Sequence, residues 1–402
     1  MTGYIYPIPY TAARLSRSDC ANPGLLFERY VGYRPGWSLK AEGGDNPKRD
    51  ALDEVIRANG RLHGPQWRAL RDGLLARWQQ MVTAAGASIA DKTLFKASPV
   101  WRFITGIGRN SPLEVGFTFD RLYGLPLLPG SSLKGLTRAY VLWTWADELD
   151  VPLLRAGEVK ARHKARPRQL TPLEQLEDAL ITADDDRRAQ KLAALRQDAA
   201  IPGNATLHAF PEDEFAARSL LFRQVFGSTE GQGGTLFFDA IPEKVTLEID
   251  VMTPHYPDYY KPGGNDWPTD WQDPNPVPFL TVGQDSVFYF AVAGAQQEKV
   301  AEWLRSALDF PGAGAKTAAG YGVWQPAFFA VASEWRQAVI REVNPTKRRG
   351  VLEDVETGER LRFSLDDVEP RDITPGKKWT CEYRLEQADE HKIVRVRNAR
   401  RP

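Results

Sequence analysis

The sequence predicts an α+β protein that ends in a small all-β module. Three observations predict it. Strands and single amphipathic helices alternate across residues 91–335. A charged segment of low hydrophobic content interrupts them at about 150–210, and residues 346–402 switch to short alternating strands with polar turns. At 402 residues the chain is long enough for two or three domains of about 100–200 residues each.

The bulk composition excludes several function classes. Lys plus Arg equals Asp plus Glu at 52 each, so the net charge is zero. Any grip on nucleic acid must then come from locally arranged cations and not from bulk charge. Cys20 and Cys381 are far apart, which gives neither a disulfide framework nor a CxxC knuckle. His63, His163, His208, His255 and His391 are scattered without HxH, HD or HExxH pairing, so no metal and no cofactor is implied. The opening MTGYIYPIPY lacks a cationic stretch before an apolar run, and nothing approaches a continuous apolar span of about 18 residues. A cytoplasmic protein with no membrane partner is expected.

In chain order, residues 1–90 read as an N-terminal extension with helices packing on the core. The stretch to about residue 60 is turn-rich, with GLLFERYVGY (Gly24–Tyr33) as its ordered piece. PQWRALRDGLLARWQQMVTAAG spaces Trp67, Leu70, Leu74, Leu75, Trp78 and Val82 by threes and fours, between Pro65 and Gly86, as an amphipathic helix does. TLFKASPVWRFITGIG suits a strand entering a glycine turn, and PLEVGFTFD, with Val115, Phe117 and Phe119 alternating, reads as a strand or hairpin arm. LPGSSLKGLTRAYVLWTWADEL starts a helix that Ser131 and Ser132 can cap, with Leu133, Leu136, Tyr140 and Trp143 on one face. In the 150–210 segment RAGEVKARHKARPR is basic and EQLEDALITADDDRRAQKLAALRQDAA is a charged helical pattern; with its low hydrophobic content it reads as an insertion, solvated or partly mobile. FAARSLLFRQVFG resumes a helix; GTLFFDAIP, KVTLEIDVMTP and SVFYFAVAG are strands, with a Pro/Gly-rich loop (Pro254–Pro278) holding Trp267 and Trp271 before the last. QEKVAEWLRSALDF is a helix and YGVWQPAFFAV a strand. This order points to a ferredoxin-like (RRM-like) core over 91–335 with helical insertions. Residues 346–402, with turns ETGE and TPGK, fit an OB or cold-shock-like barrel, in which Phe363 and Trp379 are the candidate stacking aromatics.

Three segments carry chemistry. In GAGAKTAAGYG (Gly312–Gly322) four glycines leave the main chain open enough for a phosphate to approach its amides. Gly312, Gly314 and Gly320 free the backbone, Lys316 supplies a charge, Thr317 a hydroxyl, and Tyr321 a ring to stack on a base. It is no P-loop: Ala315 and Phe310 stand where that motif needs glycine, and the loop runs from helix into strand. A glycine connector without a ligand is the plain alternative. In LPLLPGSSLKGLTR, Ser131, Ser132, Lys134 and Arg138 cluster at a helix start, where the dipole favours a phosphodiester; the alternative is a capped helix with two solvated cations. In TGIGRNSPLEVGF, Ser111 and Pro112 exclude a dinucleotide fingerprint, and Arg109 with Asn110 either meets an RNA backbone or caps a hairpin in solvent.

Taken together these segments resemble the RAMP superfamily of CRISPR effector subunits. The pairing of TGIGRNSPLEVGFTFDRLYGLPLLPGSSLKG with a late GAGAKTAAGYG and an early NPGLLFERY is most similar to the family of sixth subunits of type III-B (Cmr) complexes. The resemblance spans roughly residues 20–335. It implies a ferredoxin-like core with a late glycine-rich loop, a structural subunit that holds guide RNA (crRNA) and presents it to target RNA, and other RAMP subunits of the Cmr complex as partners. It maps Lys134, Arg138, Gly312, Gly314, Lys316, Thr317, Gly320 and Tyr321 onto RNA-facing turns.

The alternative from another class is an endoribonuclease of the same superfamily. Its cutting subunit places an Asp between the first core strand and helix; here that loop is Thr105–Gly130 and Asp120 is its only aspartate. A surface ion pair with Arg121 is the simpler account of Asp120, and no histidine lies near the glycine loop in sequence. A third reading is a free-standing RNA binder using the C-terminal barrel. GGDN (Gly43–Asn46) lacks the second acid of a GGDD motif and reads as a loop. The basic run Arg155–Arg168 reads as a solvated insertion, with RNA phosphates as the alternative ligand. Lys347, Arg348, Arg349, Arg395, Arg397, Arg400 and Arg401 are barrel-edge contacts or guards against edge pairing.

Overall fold

The computed structural model describes residues 5–6, 20–41, 46–253, 267, 276–327, 336–344, 349–355, 360–365, 368, 379–388 and 391–400. Two units result, Met1–Pro326 and Ala327–Pro402.

Asparagine followed by proline opens the first two helices: Asn22 and Asn46 each accept the amide three residues on, and Pro23 and Pro47 sit where no N–H is needed. The ordered piece expected at Gly24–Tyr33 begins as helix α1 (Pro23–Arg29), and α2 (Pro47–Leu62) replaces the predicted turn-rich stretch. Ala51, Leu52, Val55, Ala58 and Leu62 of α2 form a buried stripe that its many charges dilute in the sequence. The GGDN segment lies outside the described residues except for Asn46, the α2 cap. A turn of 3₁₀ helix (Pro65–Trp67) leads into α3 (Arg68–Ala84), which buries Trp78 and Val82 and leaves Leu70 exposed. The predicted face is thus only half used.

Strand β1 (Leu94–Pro99) is followed at once by β2 (Arg102–Phe103), which belongs to another sheet. PLEVGFTFD is not a strand. Val115, Phe117 and Phe119 are all buried, but the main chain bonds irregularly to Thr105 and Ile107, and a single bridge joins Phe119 to Pro126. Helix α4 (Gly130–Glu148) buries Leu133, Thr137, Val141, Leu142, Trp145 and Ala146; of the predicted face Leu133 is fully in the core, and Leu136 and Tyr140 are partly buried against it.

The 150–210 segment is ordered, contrary to the solvated insertion expected. It holds α5 (Ala156–Lys164), α6 (Pro172–Ile181), α7 (Asp185–Arg196) and α8 (Ala205–Ala209), and it runs into α9 (Glu212–Phe226). Leu176, Leu180, Leu192, Leu195, Ile201 and Leu207 all enter the main core. One apolar residue every three or four positions suffices to bury a helix that reads as charged.

Strands β3 (Thr235–Phe237), β4 (Ile241–Lys244), β5 (Leu247–Met252), β6 (Val277–Gly283) and β7 (Val287–Gly294) precede α10 (Gln297–Asp309) and β8 (Trp324–Ala327). The first sheet has the order β3-β7-β1-β8, with β4 also on β7; the second is β2-β6-β5. β1 and β7 are antiparallel with Phe95 opposite Phe290. β6 was not foreseen, because VPFLTVG follows a proline-rich run. Of that Pro254–Pro278 loop, Trp271 and most of its neighbours, with His255, lie outside the described residues. Trp324 is fully buried in a cage of Phe103, Phe288 and Phe290, with ring centroids 4.9, 5.4 and 5.4 Å away.

The second unit is an antiparallel sheet of β9 (Arg336–Asn344), β10 (Arg349–Asp354), β11 (Arg360–Ser364), β12 (Trp379–Ala388) and β13 (His391–Arg400). The order is β11-β10-β9-β12-β13, and no closed barrel forms among the described residues. Phe363 and Trp379 are 3% and 8% exposed and lie in this unit's core with Ile340, Leu352 and Tyr383, so they offer no stacking surface. The ETGE and TPGK turns, Lys347, Arg348 and Arg401 lie outside the described residues. No described helix is long and apolar enough to cross a membrane.

Emptying the aromatic cage tests the core. Trp324→Ala is expected to destabilise the first unit by about 3–5 kcal/mol, read from denaturant unfolding. A loss below about 1 kcal/mol would show that the cage is not what holds β1, β2 and β7 together.

Candidate nucleic-acid interface

The glycine loop is built by close approach of two main chains. Beyond α10, the Gly312 amide donates to Ala307 O at 2.9 Å, and the chain then lies along residues 100–104. The Ala315 amide donates to Ile104 O (2.9 Å), the Gly322 amide to Arg102 O (2.7 Å), and the Val100 amide to Val323 O (2.8 Å). Gly314, at φ +111°, permits this: a Cβ there would stand 2.6 Å from Ile104 O and 2.7 Å from the Phe103 ring. Lys316 adopts φ +59°, unusual for a residue with a side chain, at the head of a 3₁₀ turn, Thr317–Ala319. Its side chain is exposed and has no ion-pair partner among the described residues. The amides of Gly314, Lys316, Thr317 and Ala318 likewise have no acceptor among the described residues.

A cleft of about 400 Å³ brings the three predicted segments together. Thr105–Gly108, then Leu128, Ser132 and Leu136 of the α4 segment, and Gly312–Ala315 line it. Arg109 and Asn110 follow Gly108, both exposed, on a turn closed by the Arg109 amide to Gly106 O at 2.9 Å.

Other predicted residues are placed differently. Ser131 and Ser132 do not cap α4; the carboxylate of Asp239 does, accepting the Gly130 amide at 2.7 Å, while the Ser132 amide donates to Pro129 O. Ser132 and Leu136 face the cleft one turn apart, so Lys134 sits about 200° round the helix from Ser132, away from it. Arg138 forms a close ion pair with Glu177 of α6 and lies over the Phe222 ring, 5.2 Å from its centroid. It ties helices together and is not a free cation. Tyr321 is 9% exposed. Its ring packs on Trp101 and its hydroxyl donates to Asp250 Oδ2 at 2.7 Å, so it offers no open face to a base. Burial, and then that hydrogen bond, pushes its phenol up to about 12. Burial works against the Asp250 carboxylate, but bonds from Tyr321, the Val251 amide and Arg102 hold its pKa below the ordinary value.

Asp120 accepts the amides of Leu122 and Tyr123 at 2.9 and 2.7 Å, which makes it the cap of the turn that follows and not half of a surface ion pair. The sequence reading missed Asp239, Trp101, Arg102 and Asp250. Only the neighbouring aromatic and cation in VWRF offered a signal.

The basic run is largely committed within the protein. Arg162 grips Asp198 with two nitrogens (2.8 and 2.6 Å), and His163 and Arg168 both reach Glu174. Among the described residues no group of three or more His, Cys, Asp or Glu is placed to hold a metal ion.

The RAMP superfamily model matches residues 86–323. Subunit Cmr6 of the CRISPR system Cmr from Pyrococcus furiosus is 34% identical over 236 residues, which cover 55% of this chain and 64% of that relative. The chain thus spans a little under two thirds of that relative's length. Among solved structures, the crystal structure of Cmr6 from Pyrococcus furiosus is 30% identical over 57% of this chain and 96% of that one, with a TM-score of 0.33. A cryo-EM structure of the type III-B Cmr-beta bound to cognate target RNA matches at 18% identity and a TM-score of 0.39, covering 69% and 70%.

The ion pairs of the helical segment set a pH dependence. The Arg162 hydrogen bond lowers Asp198 from 3.8 to about 2. For Glu174, burial is outweighed by bonds from Thr171 and His163, which lower it from 4.5 to about 2. Folded values below the unfolded ones mean stability that is present above the unfolded pKa and lost as pH falls toward the folded one. The protection of amides in α5 and α6, taken relative to the intrinsic exchange rate at each pH, should therefore fall as pH drops from about 4.5 to about 2, less so in Asp198→Asn with Glu174→Gln. An equal loss of protection in both proteins would show that the pairs are not the cause.

Proposed function

The chain belongs to the RAMP superfamily, and from that premise we propose that it is a structural guide-RNA-binding subunit of a type III-B CRISPR (Cmr) ribonucleoprotein in antiviral defence. The observation that carries the reading is the convergence of three separate segments on one cleft beside Lys316 and the unpaired amides of its loop. Main-chain donors and a point charge suit ribose-phosphate, which positions an RNA without reading its sequence; pairing with a complementary target strand would do the reading. Identity to Cmr6 supports crRNA, target RNA and other RAMP subunits of the complex as partners. In this reading Arg109, Asn110, Ser132, Lys316 and Thr317 meet the strand, Gly312, Gly314 and Gly320 shape the loop, and Ser131 and Lys134 lie farther round α4.

The reading takes the subunit as cytoplasmic and non-catalytic. Asp120 Oδ1 accepts two backbone amides, which ties the residue to its own turn and supports the non-catalytic reading. A ferredoxin-like core is supported by the succession β1, α4, β3/β4, β7, α10, β8 and its sheet order β3-β7-β1-β8. For the second unit the five-stranded antiparallel sheet supports an OB-like reading. We take residues 1–90, 91–335 and 346–402 as the functional divisions.

The test is the salt dependence of RNA binding by the full chain. Lys316→Ala with Arg109→Ala should weaken binding of a short single-stranded RNA. It should also flatten the slope of log K against log salt by about 1.4, at roughly 0.7 for each phosphate left without its cation. An unchanged slope and affinity would remove the cleft from RNA binding.

A further inference from the structure

Trp101 stands out on the surface beside the glycine loop. It is 44% exposed, although large aromatic rings are usually drawn inward. Its indole rests on the Tyr321 ring, centroids 4.8 Å apart at 38°, and the Arg102 guanidinium carbon lies 5.2 Å from its centroid. The Tyr321 hydroxyl and Arg102 Nη1 both meet Asp250 Oδ2, at 2.7 and 2.6 Å, and Arg102 Nε also bonds Glu248 at 2.8 Å. Two supports sharing one carboxylate oxygen converge from the protein side, so the open area of the indole is the part turned away from them. The ring is mounted and not loose, so little rotamer freedom remains for a ligand to remove.

The same tyrosine also joins this ring to the cation. The Tyr321 amide donates to Lys316 O at 3.4 Å, and the Gly322 amide to Arg102 O at 2.7 Å. The Lys316 turn with its unpaired amides and Trp101 are thus both tied to Tyr321.

We propose that Trp101 is a stacking platform for an unpaired base of the RNA strand whose phosphates lie at Lys316. The proposal rests on the RNA-binding reading above and adds a base contact to a site otherwise built for backbone. Stacking is tolerant of sequence because every base has a π-face, which suits a protein that must hold any guide. An interleaved cation and aromatic beside free main-chain donors matches a nucleotide, with its flat apolar base and anionic linkage, better than an apolar protein surface.

The experiment uses the full chain with two probes: a short oligouridylate, and the same ribose-phosphate chain without bases. The wild-type protein should prefer the oligouridylate by roughly five- to a hundredfold, the value of a single base stack. Trp101→Ala should abolish that preference and Trp101→Phe should keep most of it. Lys316→Ala should weaken both probes alike. A 5-iodouridine in the oligouridylate should cross-link to Trp101. A Trp101→Ala protein that keeps the wild-type preference, or that weakens both probes equally, overturns the platform while leaving the phosphate site in place. So does one that binds both probes as the wild type does but no longer co-purifies with partner subunits, which would make Trp101 a protein contact. Lys316→Ala binding both probes as tightly as wild type would overturn the underlying RNA reading instead.

Discussion

The site depends on one constraint, the approach of the Ala313–Val323 main chain to residues 100–104 at hydrogen-bonding distance. Three bonds of 2.7–2.9 Å span it, and a side chain at position 314 would prevent it. The approach sends Trp324 into the aromatic cage below and leaves Lys316 outside above. It also fixes where Arg102 and Tyr321 meet Asp250. Packing, loop shape and the exposed charge are therefore consequences of one piece of backbone geometry.

A chain with 52 positive and 52 negative side chains can leave cations uncompensated at one place only through their distribution. Arg102, Arg138, Arg162 and Arg168 are all matched with carboxylates inside the first unit. The more exposed of them, such as Arg168 with Glu174, contribute little to stability on their own, whereas the largely buried Arg162–Asp198 pair carries the pH dependence; all of them cancel charge within the unit. Lys316 and Arg109 remain beside the cleft without an ion-pair partner among the described residues.

Much of the secondary structure was legible in the sequence, because α3, α4, α9, α10 and most strands of the first unit announce themselves by apolar period and turn residues. The failures share a cause. In α2 the helix itself, and in α6 and α7 the burial of a readable helical pattern, are hidden because charged residues crowd around the buried ones, so each segment looks polar as a whole although a buried stripe persists. PLEVGFTFD alternates like a strand, yet both its sides are enclosed and its hydrogen bonds go to a turn. β6 hides behind prolines. For the site, the three segments were legible as motifs, and their meeting at one cleft is a tertiary fact that no local pattern states. The roles of Arg138 and Tyr321 were misread for the same reason: their partners, Glu177 and Asp250, lie 39 and 71 residues away.

The carboxylate of Asp239 on the first amide of α4 bears on which main-chain donors the cleft leaves free. A helix start beside a cleft leaves donors that want an anion. Here the chain supplies that anion from its own β3–β4 connection. The start of α4 is therefore complete on its own and needs no ligand to satisfy its first amide. The free main-chain donors at the cleft belong instead to the neighbouring glycine turn, where the amides of Gly314, Lys316, Thr317 and Ala318 have no acceptor among the described residues.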